Sequence, residues 1–138
     1  PQEHNDAILD GSIGHIIVPL DGSELAEHIL PHAVALAKGL DLKLCLVRVS
    51  RGDNMSESER EGLDLLANQI RSEGVADVEC KILYGDPSRA IVDLTYEYPD
   101  ALVAMTTHGR SGMSRWLMGS VADTVVRQAA GPVLVLRG

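Results

Sequence analysis

The sequence predicts an α/β domain, a mostly parallel sheet with helices on both faces. Three observations lead there. Short apolar, β-branched runs alternate along the chain with stretches of three- and four-residue periodicity. Most of those runs end in turn or capping residues that lead into a helix. At 138 residues, 45% of them hydrophobic, the chain is the size of one compact domain with a real core.

The opening stretch "PQEHNDAILDGSIG" lacks the basic and long apolar regions of a secretory signal. Residues 1–13 are therefore expected to form a flexible arm ahead of a domain at 14–138, and the protein is expected in the cytoplasm. "HIIVPL" (His15 to Leu20), ended by "DGS", reads as a buried first strand. From Ser23 the pattern turns helical through Leu25, Ile29, Ala33, Leu36 and Leu40, with Gly39 as a stop signal and Pro31 predicting a kink. "LKLCLVRV" (Leu42 to Val49) is the second strand, and the polar "SRGDNMSESER" is a loop.

Ser56 and Glu59 form a capping box for a second helix, with Leu63, Leu66, Ala67 and Ile70 on its inner face and Gly74 at its end. "DVECKIL" alternates apolar and charged residues, the pattern of a strand with one wet face, expected at an edge of the sheet. Asp86 then caps a helix begun by Pro87, with Ala90, Ile91 and Leu94 inward. "ALVAM" (Ala101 to Met105) is a fully apolar strand. Ser120 with Asp123 is expected to cap the last helix, whose inner face carries Ala122, Val125, Val126 and Ala129. Gly131 and Pro132 end it, and "VLVL" (Val133 to Leu136) is a fifth strand.

Composition excludes several functions. A net charge of −8 repels nucleic acid and anionic membranes, so neither is expected as a partner. No apolar run approaches the ~20 residues that span a bilayer. Cys45 and Cys80 have neither metal-ligand spacing nor a CxxC arrangement, and read as buried reduced thiols. The sequon-like "NMS" at Asn54 is read as a chance match. No GxGxxG follows the first strand, no GxxxxGK[ST] occurs, and "GRSGM" has Met113 where a nucleophile elbow needs glycine.

In open α/β sheets ligands sit beyond the carboxyl ends of the strands, where the winding direction reverses. With the first strand central and the fourth beside it, "LDGS", "RVS" and the loop Thr106 to Ser120 converge on one crevice. That loop carries glycines at 109, 112 and 119, and Ser120 begins a helix with unpaired donors. No carboxylate occurs between Asp100 and Asp123, whereas Arg110 and Arg115 stand ready to neutralise an anion. These features describe a phosphate seat; the alternative is a plain strand-to-helix loop with solvated arginines.

The stretch "THGRSGMSRWLMGSVADTVVRQAAGPVLVL", with "HIIVPLDGS" and "YGDPSRAIVDL", resembles the universal stress protein family over about residues 14 to 137. The resemblance implies a three-layer, open twisted five-stranded parallel sheet of order 3-2-1-4-5, Rossmann-like or flavodoxin-like. Nucleotide-binding members carry Gly, two residues, Gly, nine residues, Gly and Ser or Thr. Gly109, Gly119 and Ser120 match, but Thr106 stands at the first glycine. By the resemblance Gly109, Arg110, Gly112, Gly119, Ser120 and Val121 surround the phosphates. Pro19, Leu20 and Asp21 line the ribose and adenine side, Val49 and Met105 cover the ring, and His108 faces the crevice. Asp21 either touches ribose or a phosphate-bound magnesium ion, or caps the turn to Ser23. Thr106 is strained if its φ is positive; at negative φ its hydroxyl could donate to a phosphate.

The function expected is a cytosolic ATP-binding stress-response regulator, with magnesium held through the phosphates and no direct metal ligand set. It is not expected to be an enzyme, although slow hydrolysis or self-phosphorylation is within the family's pattern. The alternative is a nucleotide-free interaction module of the same fold. Either would be a homodimer through Val133, Leu134, Val135 and Leu136, because the last strand is an apolar edge that pairing would cover.

Overall fold

The computed structural model describes residues 13–50, 52, 56–107 and 118–137, with the backbone alone at 118 and 119. Five strands among them, β1 (His15–Leu20), β2 (Lys43–Ser50), β3 (Val78–Tyr84), β4 (Ala101–Thr107) and β5 (Val133–Arg137), form one parallel sheet. Its order is β3-β2-β1-β4-β5, as expected. Ile16, Ile17, Val18, Leu44, Leu46, Val47 and Val103 are at most 1% exposed, so the inner strands bury both faces. That is why their sequences run apolar without alternation. The alternating β3 lies at one edge and β5 at the other.

Register divides the side chains between the two faces. Cys80 packs its Sγ 3.8 Å from the carbonyl of Leu63 in the helix α3 (Glu57–Ser72), so even-numbered positions of β1 to β3 face that helix. The ring of His15 stacks at 5.1 Å on Tyr98, which ends α4 (Pro87–Glu97), so odd-numbered positions face the other layer.

Where one kinked helix was expected after β1, the chain forms α1 (Glu24–Glu27) and α2 (Leu30–Leu40). Pro31 explains the break, because its ring conflicts with the carbonyl four residues back, and that residue is Glu27, the last of α1. Ser23 caps α1 by accepting from the Ala26 N–H. Asp41, at φ 56°, ends α2 in place of Gly39, which lies inside the helix. The capping box at Ser56 and the N-cap at Asp86 form as the sequence predicts.

The last helix, α5 (Met118–Gln128), departs from expectation. It begins two residues before Ser120, so Ser120 lies in the first turn and is not the N-cap. Asp123 pairs instead with Arg127 Nη2 at 3.2 Å, one turn on. Val126 is 53% exposed, and Val121 joins Ala122 and Val125 on the inner face. Cys45 is buried and Cys80 half-buried, both as free thiols. Burial, reinforced by Glu79, pushes the Cys45 thiol up to about 12. No helix among the described residues is long and apolar enough to cross a membrane.

Candidate functional site

The crevice begins with a proline. His15 donates its backbone N–H to Asp100 at the foot of β4, and alternation aims the amide positions of residues 17 and 19 towards β4 as well. Pro19 has no N–H to give. The paired register of β1 with β4 accordingly covers His15–Ile17 against Ala101–Val103, although β1 continues to Leu20 and β4 to Thr107. On its other side β1 stays paired with β2 through Leu20↔Arg48. The gap therefore opens between β1 and β4 at the carboxyl end of the sheet, where the chain passes from one side of β1 to the other.

Around this gap the predicted residues divide. Pro19, Val49 and Met105 share the α4 face and are all buried, Val49 at 3% and Met105 at 0% exposure. Side by side on β2, β1 and β4, they form a buried apolar wall at the carboxyl end of the sheet. Leu20 and Thr106 have the opposite parity and face α1 to α3, so they do not join that wall. Val121 is buried on α5, and Gly119 and Ser120 lie in its first turn, where backbone N–H groups lack helical partners. His108, Gly109, Arg110 and Gly112 lie outside the described residues.

Asp21 follows β1 directly and is only 1% exposed. Its Oδ1 accepts from the Ser23 N–H at 2.9 Å and from the Ser23 hydroxyl at 2.5 Å. This is the Asx-type turn expected of an acid at a strand end. Its Oδ2 is buried with no hydrogen-bond partner among the described residues. A buried carboxylate oxygen without a partner is costly, and a ligand hydroxyl or a cation would satisfy it. Both roles read for Asp21 thus fit one side chain, one oxygen for each. No group of three or more potential metal ligands occurs among the described residues, so any magnesium would lean on ligand oxygens as well.

Thr106 is settled by its backbone. It belongs to β4, is fully buried, and is not among the residues of positive φ. Its hydroxyl donates to the Ala26 carbonyl in α1 at 3.4 Å. The side chain is thus unstrained and braces β4 against α1, on the face opposite the apolar wall.

Two contacts were not visible in the sequence pattern. Gly22, at φ 86°, rests on the guanidinium of Arg48, and Arg48 Nη2 donates to Glu59 Oε2 at 2.6 Å. The sequence offers no more than a hint of them: an arginine interrupts the apolar run Leu44–Val49, and a glycine directly follows Asp21.

Comparison with known proteins extends the picture. The family model described as "Universal stress protein family" matches residues 12–137. A universal stress protein of Methanocaldococcus jannaschii is 28% identical over 137 aligned positions, covering 88% of this chain and 81% of the relative. A putative universal stress protein of Staphylococcus aureus is 31% identical, covering 89% of this chain and 83% of its own length. Among solved structures, UspA of Lactobacillus plantarum superposes with a TM-score of 0.76 at 20% identity, over 90% of this chain and 97% of that one. A universal stress protein in complex with cAMP gives 0.73 at 23% identity, over 91% and 97%. One from Archaeoglobus fulgidus in complex with dAMP gives 0.67 at 23%, over 89% and 96%. At these identities the superpositions speak for the fold.

Proposed function

Because the chain belongs to the universal stress protein family, we propose that its crevice binds an adenine nucleotide, ATP with magnesium, and that the protein is a dimeric stress-response regulator rather than an enzyme. The Oδ2 of Asp21, buried and without a hydrogen-bond partner among the described residues, carries this reading. Asp21 directly follows Leu20, the last residue of β1, at the carboxyl end of the sheet, beyond the point where the β1–β4 pairing stops. A ribose hydroxyl or a phosphate-bound magnesium ion would satisfy that oxygen, the apolar wall of Pro19, Val49 and Met105 would take the purine, and the Gly119 and Ser120 amides would meet phosphate. The adenine nucleotides held by two proteins of the same fold support the ligand class. In this reading occupancy shifts a population of surface conformations seen by partners.

Titration of nucleotide-stripped protein with magnesium ATP, followed by calorimetry and Trp116 fluorescence, tests it. Saturable binding that is lost in Gly119→Val supports the reading, and affinity unchanged in that variant removes the site assignment. A second reading, a dimeric interaction module that works without nucleotide, is favoured by the exposed edge of β5, where Leu134 and Val135 are 39% and 37% exposed.

A further inference from the structure

We propose that Arg48 is a positioning residue. Anchored by Glu59, its guanidinium holds the Asp21–Ser23 loop in the conformation that presents Asp21 to the ligand; the inference rests on the nucleotide reading above.

The geometry is specific. Arg48 lies two residues before the carboxyl end of β2, on the face that packs against α3, and pairs in register with Leu20, the residue before Asp21. Its side chain is 12% exposed. A Cβ placed on Gly22 would lie 2.8 Å from Nη2, 3.0 Å from Nη1 and 3.1 Å from Cζ. The loop backbone therefore rests on the guanidinium itself. The φ of 86° favours glycine at this position, and a larger residue there would also have to push the guanidinium aside.

Glu59 fixes the other end. Its Oε2 accepts from Arg48 Nη2, while its Oε1 accepts from the backbone N–H and hydroxyl of Ser56 in the capping box of α3. The carboxylate is thus held by helix geometry before it meets the arginine, which favours one orientation of the guanidinium. Beside this contact is a cavity of about 250 Å³ bounded by Leu20, Gly22, Arg48, Glu59, Leu63 and Leu66. Packed side chains do not fill the space next to the loop, so removing the guanidinium leaves Gly22 room to sink. Asp21 would move with it.

The test reads the loop and the ligand separately. Arg48→Met keeps the length of the side chain without charge or donors. We expect Ser23 amide exchange, measured by NMR without ligand, to quicken about tenfold while the β2 amides of Leu44 and Leu46 hold. Magnesium ATP affinity should weaken about tenfold, as for groups that orient a ligating side chain. Glu59→Gln keeps an acceptor for the capping box and should act in the same direction to a smaller degree, so it serves where Arg48→Met folds poorly. The double variant should be no worse than Arg48→Met alone. Arg48→Lys should retain stability but not full Ser23 protection, because an ammonium cannot spread beneath Gly22.

Unchanged Ser23 exchange in Arg48→Met overturns the proposal, as does a loosened loop with undiminished ATP affinity. If the parent protein binds no nucleotide, the functional reading fails, and Ser23 exchange alone then decides whether Arg48 holds the loop.

Discussion

Asp21 and Thr106 lie at the carboxyl ends of neighbouring strands and use their polar atoms in opposite ways. Asp21 spends one oxygen on its own turn and keeps one open. Thr106 spends its hydroxyl on Ala26. Thr106→Val, which keeps the shape and removes the hydroxyl, should therefore lower unfolding free energy by about 0.5–1 kcal/mol and leave ligand affinity unchanged. Denaturant unfolding and calorimetry check this; lost affinity at unchanged stability would return the hydroxyl to the ligand site. Cys45 gives a pH-dependent counterpart. Burial raises its thiol from 9.0 to about 12, so above pH 9 the unfolded chain gives up its proton before the folded one does. Its contribution to stability is complete below pH 9 and is lost as pH rises towards 12. Cys45→Ala should flatten that alkaline decline in thermal unfolding, and an unaltered slope would show that the thiol does not titrate this way.

At the scale of elements, backbone limits decide more than side-chain preference. Pro31 splits one periodic stretch into α1 and α2, and Pro19 ends the β1–β4 ladder where the crevice opens. Gly131 enters β5 beneath β4, where an added Cβ would lie 2.8 Å from the Ala101 carbonyl oxygen. Gly131→Ala should cost about 1–3 kcal/mol, since the clash is with backbone that cannot turn aside. Urea unfolding measures it, and a neutral result would mean that β5 shifts freely along β4. The start of α5 was the element least legible in sequence. "MGS" offers a good cap at Ser120, yet Met118 and Gly119 are already helical, so Ser120 lies inside α5. Strands and their order were legible because buried parallel strands need long apolar runs. The Arg48–Gly22 contact was not, because it joins residues 26 apart through a φ that no pattern reports.

For the whole molecule, the sheet has two edges of different character. β3 presents Glu79 and Lys81 along its length, charges that discourage pairing. β5 presents Val133, Leu134, Val135 and Leu136, partly or fully exposed. We propose that a second copy covers this edge about a twofold axis. Light scattering should then report a dimer at micromolar concentration and a monomer for Leu134→Glu; a monomeric parent would refute it. The two ends of the sheet also differ. The amino end is closed by the His15–Asp100 contact at 2.9 Å, and the carboxyl end opens between β1 and β4, with Asp21 directly following β1.

The central claim is that Asp21 keeps a buried oxygen for a ligand, and the most direct measurement compares magnesium ATP binding by the parent protein and Asp21→Asn in calorimetry. Asparagine can still accept from Ser23, so the turn and the unfolding temperature should be nearly preserved. Affinity should fall about tenfold or more, the range for loss of a charge-assisted contact. Equal affinity in the two proteins, with lower stability in Asp21→Asn, would contradict the account and leave Asp21 as a turn residue alone.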